Sequence, residues 1–223
     1  MGHPAPVQPC SCSDRDQYQF KNSRGDRREH RRSTRSSAQS NPTQKRGGEM
    51  IRAVILAAGE SRRMGKPKLL LPYGEKTIIE TVVESVVSSK VDGTLVILGS
   101  ERETIEEKIK DFPVKIVLNP DFRSGMLSSV QCGFKALPGE TRAVLVVLGD
   151  QPAISSDIID VLIDAYLKTG KGIVLPVYEK ERGHPVIIDM KYKQEIQGLS
   201  PDVGLRGTVY SHPEDILEVG VDT

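Results

Sequence analysis

The stretch that decides the fold is RAVILAAGESRRMGKPK, residues 52–68. Its first part, RAVILAAG at 52–59, is a continuous apolar run that ends in glycine, which is typical of a strand buried on both faces. A turn that is both flexible and basic follows it directly. The cationic side chains of this turn are Arg62, Arg63, Lys66 and Lys68. So much positive charge beside a glycine indicates a polyanionic ligand that approaches the backbone closely.

Further apolar runs alternate with helical patterns along the rest of the chain. The predicted strands cover 52–59, 94–100, 114–119, 143–150, 172–178, 184–188 and 215–221. The predicted helices cover 76–90, 101–111, 125–137, 155–168 and, with a weaker pattern, 189–210. Uninterrupted apolar strands between helices predict an α/β protein, three-layered and Rossmann-like, with a mainly parallel sheet. In such a sheet, ligands bind beyond the carboxyl ends of the strands.

The first 49 residues differ in composition from the rest of the chain. They contain ten basic and five acidic side chains, and Val7 is their only branched aliphatic residue. Because so little apolar surface cannot offset the entropy of ordering, we expect residues 1–49 to be a disordered basic extension. The run KRGGEM at 45–50 resembles a translated ribosome-binding site. We therefore interpret Met50 as the natural start and the extension as non-native.

The composition also narrows the class of protein. Residues 50–223 carry 21 basic and 25 acidic side chains, so the positive charge of the opening stretch is local. No apolar run is long enough to cross a membrane, and the basic extension has no regular interleaving of aromatic with basic residues, so we expect neither a membrane nor a nucleic acid as partner. The three cysteines form no disulfide framework, which favours a cytoplasmic location.

The loop after the first strand matches neither common nucleotide signature. A dinucleotide-binding G-x-G-x-x-G motif needs glycine where the chain has Ser61. A P-loop has four residues between its glycines, whereas five separate Gly59 from Gly65. The chemistry still suits a triphosphate, because glycine permits close approach and the basic side chains neutralise phosphate charge. A solvated basic turn is the alternative, but it does not explain why the small Ala57 and Ala58 precede the glycine.

A carboxylate stands at the end of another predicted strand. Asp150 follows the apolar run AVLVVLG at 143–149. A lone carboxylate in this position can simply cap the next turn. It can also bind Mg²⁺, which prefers one or two protein carboxylates together with phosphate oxygens and water. Beside a triphosphate loop, the magnesium interpretation is favoured.

Together these motifs resemble the nucleotidyltransferases that act on a phosphorylated acceptor, and most of all the molybdenum cofactor cytidylyltransferases. The resemblance extends over nearly all of 50–223 and implies the nucleotide-diphospho-sugar transferase fold. In that family the glycine-rich loop holds the triphosphate. Arg63 and Lys68 match the positions that neutralise it, which makes them catalytic together with Asp150, the match to the magnesium ligand. The implied nucleotide contacts are Leu56, Ala57, Ala58, Gly59, Ser61, Arg63, Lys68, Asn119, Gly125, Ser128 and Ser129.

Three further segments match this family. The segment NPDFRSGMLSSVQCG at 119–133 is similar to the stretch that lies against the nucleotide in this family. The alternative is that it only forms an asparagine turn followed by a serine-capped helix. ERGHPVII at 181–188 and SPDVGLRG at 200–207 are similar to acceptor-side stretches. They imply that the substrate contacts are Arg182, His184, Asp202 and Arg206. The alternatives are that the histidine only orients a strand entry and that the aspartate only begins a surface helix.

The resemblance implies transfer of CMP from CTP to the phosphate of a molybdopterin-type molybdenum cofactor, with Mg²⁺ as cofactor and release of pyrophosphate. Ala58 and the sequence Gly-Asp-Gln-Pro at 149–152 favour CTP over GTP. The expected partners are these two substrates and a molybdoenzyme or its chaperone. Two alternatives stay open: the same chemistry with GTP or on a sugar phosphate, and a nucleotide-binding module without turnover. Relatives continue past Thr223 into another strand, so we expect the domain at 50–223 to be truncated at its C-terminus.

Overall fold

The computed structural model describes residues 50–60 and 67–222. The strands in these residues are β1 Met50–Ala57, β2 Pro72–Tyr73, β3 Lys76–Thr77, β4 Thr94–Leu98, β5 Val114–Leu118, β6 Thr141–Leu148, β7 Ile173–Tyr178, β8 Glu181–Arg182, β9 Val186–Asp189 and β10 Ile216–Gly220. The α-helices are α1 Ile78–Val87, α2 Arg102–Ile109, α3 Met126–Ala136, α4 Ser156–Thr169, α5 Lys193–Gly198 and α6 Arg206–Ser211. Four short 3₁₀ helices connect them, at Lys68–Leu70, Phe122–Ser124, Met190–Tyr192 and Pro213–Asp215.

Most of the described strands form one sheet in the order β10-β7-β9-β6-β1-β4-β5, with β8 paired to β7. The strands β6, β1, β4 and β5 are parallel neighbours, and β10 is parallel to β7. Only β9 and the two-residue β8 run antiparallel to their partners. The prediction of a mainly parallel sheet is therefore confirmed. Because β1, β4, β5 and β6 share one direction, their carboxyl ends meet at one edge of the sheet.

Two apolar layers cover the two faces of this sheet. In β1, Ile55 belongs to the layer that packs under α1, α2 and α4, whereas Val54 belongs to the layer that packs under α3 and α5. This period of two is the alternation that a pleated strand imposes on its side chains. Both faces of β1 are buried, which explains why its sequence is apolar without interruption. The three-layer architecture predicted from the sequence is the one observed.

The first helix begins where its capping residue stands. Thr77 accepts a hydrogen bond from the backbone of Glu80, and the Glu80 carboxylate accepts one from the backbone of Thr77, which together form a capping box. The predicted helix over 76–90 therefore starts at Ile78. The two residues before it pair with Pro72–Tyr73 in a small hairpin that turns at Gly74, whose φ of 66° favours glycine. Local capping thus decides the boundary more strongly than the apolar period.

The weak helical pattern over 189–210 divides into two short helices, α5 and α6. The segment between them contains Pro201, which cannot donate a backbone hydrogen bond, and Gly204, whose φ is 67°. These two residues interrupt the helix and turn the chain. As a result, α6 begins at Arg206 and lies along one wall of a cavity described below.

A cluster of polar side chains fixes the edge strand β10. Tyr192 and Lys191 donate hydrogen bonds to Oδ2 of Asp215 at 2.6 and 2.7 Å. Burial on its own would raise the pKa of Asp215, but these hydrogen bonds outweigh it and lower the pKa to about 2. The space beside the carboxylate exists because Gly172 lacks a side chain: a Cβ there would lie 2.2 Å from Oδ2.

We expect Asp215→Asn to lower the free energy of unfolding by about 1–2 kcal/mol at pH 7. The pKa of an unfolded aspartate is about 3.9. Since the folded value is lower, the unfolded chain takes up the proton first, and the stabilisation is lost as the pH falls from about 5 to 2. Urea unfolding at pH 7 and pH 3 measures this difference. The exposed Asp111→Asn is the control, and a gap between wild type and Asp215→Asn that stays constant with pH would contradict the prediction.

Candidate functional site

Glycines let the strand ends approach one another at the carboxyl edge of the sheet. Gly149, directly after β6, donates its backbone N–H to the carbonyl of Leu56 at 3.0 Å. A Cβ at this position would lie 2.8 Å from that carbonyl oxygen, so a larger residue would push β6 away from β1. A Cβ at Gly99, directly after β4, would lie 2.8 Å from the carbonyl oxygen of Ala58. The two glycines therefore hold the backbone after β1 between the ends of its neighbours.

A cavity of about 420 Å³ opens at this edge, and we call it the charged cavity. Its lining residues are Leu56, Ala57, Ala58, Gly59, Lys68, Leu69, Phe122, Gly125, Met126, Ser129, Leu148 and Asp150. Eight of them were predicted from the sequence as nucleotide or metal contacts. The remaining four are Leu69, Phe122, Met126 and Leu148. The structure thus brings together residues that are separated by up to about ninety positions in the sequence.

An ion pair crosses the charged cavity. Nζ of Lys68 donates a hydrogen bond to Oδ2 of Asp150 at 2.9 Å, and each side chain remains about two-fifths exposed. Among the described lining residues, these two carry the only formal charges. The pair therefore offers a cation for phosphate oxygens and an anion for a metal ion at one place.

The charged cavity offers one carboxylate, that of Asp150, to a divalent metal ion. In the ranges that the structure describes, no cluster of three or more histidine, cysteine, aspartate or glutamate side chains could hold a metal ion. Asp150 would then contribute one ligand, with phosphate oxygens and water among the others. Mg²⁺ binds in this manner, because it gives up its water ligands reluctantly. The residues present therefore fit a magnesium ion bound together with a nucleotide.

Asn119 is buried beside the charged cavity and holds two serine side chains in place. It is 4% exposed, and its amide donates hydrogen bonds to the hydroxyl oxygens of Ser128 and Ser129 at 2.9 and 3.0 Å. Its own oxygen accepts the backbone N–H of Asp121. Ser129 lines the charged cavity, whereas Asn119 and Ser128 line a separate polar cavity. The structure therefore places only Ser129 of these three predicted nucleotide contacts in the charged cavity.

A second cavity, of about 380 Å³, adjoins the first, and we call it the apolar cavity. Leu56 and Met126 line both cavities. The predicted acceptor residues Arg182, His184 and Arg206 line the apolar cavity, and the predicted Asp202 does not. Its other lining residues are Leu127, Val130, Val146, Leu175, Gly183, Val186, Pro201, Gly204, Leu205, Val209 and Tyr210. A mostly apolar space with two arginines is suited to an apolar ligand that carries an anionic group.

Neighbouring groups orient both arginines of the apolar cavity. Nε and Nη2 of Arg182 lie 2.7 and 2.6 Å from Oε1 of Glu218 on β10. Nε of Arg206 donates to the carbonyl of Val203 at 3.2 Å. A guanidinium has five N–H donors in a rigid fork, so each arginine keeps further donors for a ligand. No local sequence pattern points to Glu218, because its partner lies 36 residues away.

His184 lines the apolar cavity, and the pKa of its imidazole responds to a charge in the charged cavity. Burial lowers the pKa of His184, and the negative charge of Asp150 opposes part of that shift. The imidazole is therefore neutral at pH 7, with one nitrogen that donates a hydrogen bond and one that accepts. The two cavities meet at Leu56 and Met126, which line both.

Two predicted contacts, Ser61 and Arg63, lie outside the described residues, as do Arg62, Lys66 and the extension at 1–49. The backbone on either side of this gap is placed by the structure. Gly59 accepts a hydrogen bond from Ser100, and Lys68 begins a 3₁₀ turn at the edge of the charged cavity. The roles of Ser61 and Arg63 stay predictions.

The fold and the site define an α/β protein with a charged cavity at the carboxyl edge of a mainly parallel sheet. A sequence model described as the MobA-like NTP transferase domain matches residues 53–216. The chain belongs to this family of nucleotidyltransferases, whose architecture is the nucleotide-diphospho-sugar transferase fold.

Relatives with different names share this sequence pattern. The chain is 31% identical over 165 residues to nicotine blue oxidoreductase of Paenarthrobacter nicotinovorans, covering 70% of this chain and 79% of that protein. It is 29% identical over 138 residues to molybdenum cofactor cytidylyltransferase of Escherichia coli strain K12, covering 62% and 69%. The solved structure of Rv0371c from Mycobacterium tuberculosis H37Rv aligns with a TM-score of 0.72 and 25% identity, over 79% of this chain and 90% of that one.

None of the helices formed by residues 50–60 and 67–222 combines the length and the apolar character needed to cross a bilayer.

Proposed function

We propose that this protein transfers CMP from CTP to the terminal phosphate of a molybdopterin-type molybdenum cofactor and releases pyrophosphate. The observation that carries the proposal is the pair of adjoining cavities. One contains the Lys68–Asp150 ion pair, and the other is apolar and contains Arg182 and Arg206. A nucleotide triphosphate and a phosphorylated acceptor with an apolar body would therefore meet where the two cavities join.

In the proposed reaction, a phosphate oxygen of the acceptor attacks the α-phosphorus in line. The new P–O bond forms as the bond from the α-phosphorus to the bridging oxygen of the β-phosphate breaks, and pyrophosphate leaves with that electron pair. A phosphate is already nucleophilic, so the site needs no serine, histidine and aspartate triad. The Lys68 ammonium offsets charge on the triphosphate, and Asp150 would hold Mg²⁺. When bound, Mg²⁺ would supply further charge neutralisation on the phosphate oxygens.

The lining of the apolar cavity favours a pterin over a sugar as the acceptor body. A sugar ring presents hydroxyl groups that each need a hydrogen-bond partner when water is removed. The described lining residues offer polar side chains only at Arg182, His184, Arg206 and Tyr210. A planar pterin has apolar faces and a polar edge, so its faces pack against the apolar side chains while its edge and its phosphate use the few polar side chains of the lining. Delivery of the product to a molybdoenzyme or its chaperone completes the proposal.

We expect CTP to be preferred over GTP by at least tenfold in kcat/KM, which corresponds to about 1.4 kcal/mol. The sequence features that favour CTP are Ala58 and the Gly-Asp-Gln-Pro turn at 149–152. Ala58 lines the charged cavity, so its side chain is in a position to contact a bound nucleotide. Parallel titrations of the purified full chain with CTP, GTP, UTP and ATP, each with Mg²⁺ and molybdenum cofactor, measure the preference. Equal use of CTP and GTP would contradict the cytidylyl assignment.

The same assay separates an enzyme from a nucleotide-binding module. Release of pyrophosphate that depends on both CTP and the acceptor supports the transferase. Tight binding of CTP without pyrophosphate release, with either molybdenum cofactor or a series of sugar phosphates, would overturn the proposed activity.

A further inference from the structure

The charged cavity contains one aromatic side chain that neither the catalytic nor the metal assignment uses. Phe122 is the only aromatic residue among the described residues that line it. It follows β5 and begins the 3₁₀ turn at Phe122–Ser124. A hydrophobic aromatic ring that faces a cavity with a lysine and an aspartate points to a ligand with both a planar and an anionic part.

The Phe122 ring packs against the backbone of Gly99, which has no side chain. A Cβ at Gly99 would lie 2.6 Å from Cγ and 2.7 Å from Cβ of Phe122. Only glycine therefore leaves room for the ring at this place. The same virtual atom would lie 2.8 Å from the carbonyl oxygen of Ala58, so the ring rests close to the residue that the sequence associates with the choice of base.

The turn that carries the ring is anchored on both sides. Asn119 accepts the backbone N–H of Asp121 at 3.0 Å, which fixes the residue before the ring. Arg123, the residue after it, donates from Nε to Oε1 of Glu60 at 3.0 Å and ties the turn to the loop after β1. A ring held in this way loses little conformational freedom when a ligand binds, so its contact contributes to affinity efficiently.

Different parts of the charged cavity suit different parts of a bound nucleotide. Lys68 and Asp150 are suited to phosphate oxygens and their metal ion. The acceptor would enter from the apolar cavity, which Phe122 does not line. The portion lined by Ala58, Gly125 and Phe122 remains for the base and the ribose, and the guanidinium of Arg123 lies over the Phe122 ring at 5.4 Å from its centroid. Because every nucleobase has a π-face, an aromatic side chain there can stack on it.

We infer that Phe122 stacks on the nucleobase of the bound nucleotide. It supplies much of the affinity that a nucleotide gains from having a base, whichever base that is. The inference rests on the proposed function to the extent that a nucleoside triphosphate is the ligand of the charged cavity. It does not require turnover. Stacking is tolerant of base identity, so Phe122 would strengthen binding of all four triphosphates and leave discrimination to its neighbours.

The chain contains no tryptophan, which makes a direct test possible. In Phe122→Trp the new indole is the only one in the protein. We expect saturating Mg²⁺–CTP to quench its fluorescence by at least a third, and Mg²⁺–tripolyphosphate, which has no base, to leave it unchanged. The matched control is Phe112→Trp, a partly buried phenylalanine outside both cavities, whose fluorescence should not respond to CTP.

Affinity provides the second readout. We expect Phe122→Ala to weaken binding of Mg²⁺–CTP about tenfold in calorimetry and to leave competition by Mg²⁺–tripolyphosphate unchanged. Phe122→Tyr should retain wild-type affinity, because its ring also stacks. A Phe122→Trp signal that does not respond to CTP, or an equal loss of affinity for CTP and tripolyphosphate in Phe122→Ala, would overturn the inference. Failure of the wild-type chain to release pyrophosphate would instead refute the proposed function, and it would leave these binding results valid.

Discussion

Replacing Asp150 by asparagine is expected to lower the rate of pyrophosphate release at least a hundredfold, or about 2.7 kcal/mol on the activation barrier. The amide keeps the shape of the side chain and removes its charge, so Mg²⁺ loses its anionic protein ligand. Binding of CTP without metal should not weaken, because a negative charge beside the triphosphate disappears. Calorimetry of CTP binding with and without Mg²⁺, combined with the pyrophosphate assay, measures both effects.

Asp164→Asn is the matched control for this substitution. Asp164 also pairs with a lysine, Lys90, at 2.7 Å, but it lines neither the charged nor the apolar cavity. Its replacement should leave turnover and the effect of Mg²⁺ on CTP binding unchanged. If Asp150→Asn retains wild-type turnover, the assignment of Asp150 as the metal ligand is wrong, and the reaction needs another anchor for the metal.

Replacing Lys68 by alanine is expected to weaken binding of CTP about thirtyfold, or about 2 kcal/mol. Two effects add. The ammonium no longer neutralises the triphosphate, and the carboxylate that it contacts at 2.9 Å loses its counter-charge and repels the ligand. Binding of CMP should change much less, since it carries fewer negative charges. Calorimetric titration of CTP and CMP against wild type and variant gives the ratio.

The exposed Lys76 provides the control for this prediction, because it pairs with Glu84 outside both cavities. Lys76→Ala should bind CTP like the wild type. Arg63→Ala is expected to show the same selective loss of triphosphate binding as Lys68→Ala. An equal loss of affinity for CTP and CMP in Lys68→Ala would mean that the lysine maintains the shape of the cavity and does not recognise the triphosphate.

The sequence predicted much of this site because its residues stand at the ends of buried strands. Parallel strands bring their carboxyl ends together whatever their order in the sheet, so Gly59 and Asp150 had to reach one edge. The sequence left the role of Asn119 open between a nucleotide contact and a turn residue, and the structure places it outside the charged cavity. Its amide can serve a ligand or neighbouring hydroxyl groups, and only its hydrogen bonds to Ser128 and Ser129 show which partners it has.

Other features depend on which strands become neighbours. The pairing of Lys68 with Asp150 spans 82 residues, and the pairing of Arg182 with Glu218 spans 36. Both require a sheet order that brings β6 beside β1 and β10 beside β7. Sequence patterns indicate burial and local conformation, because both depend on residues that are close together in the chain. They do not indicate the order of the strands, which is decided by the packing of helices on both faces of the sheet.

The sequence by itself determined the class of fold, the place of the loop that we predict to approach the ligand, and the carboxylate at the end of β6. It did so through apolar periodicity, glycine and charge, which are local properties of the chain. The tertiary structure alone decided that three of the four predicted acceptor residues, Arg182, His184 and Arg206, line an apolar cavity adjoining the charged one, and that Phe122 rests on Gly99. These contacts join segments that are far apart in the sequence. They contribute to the free energy of folding only when the assembled layers exclude water between them.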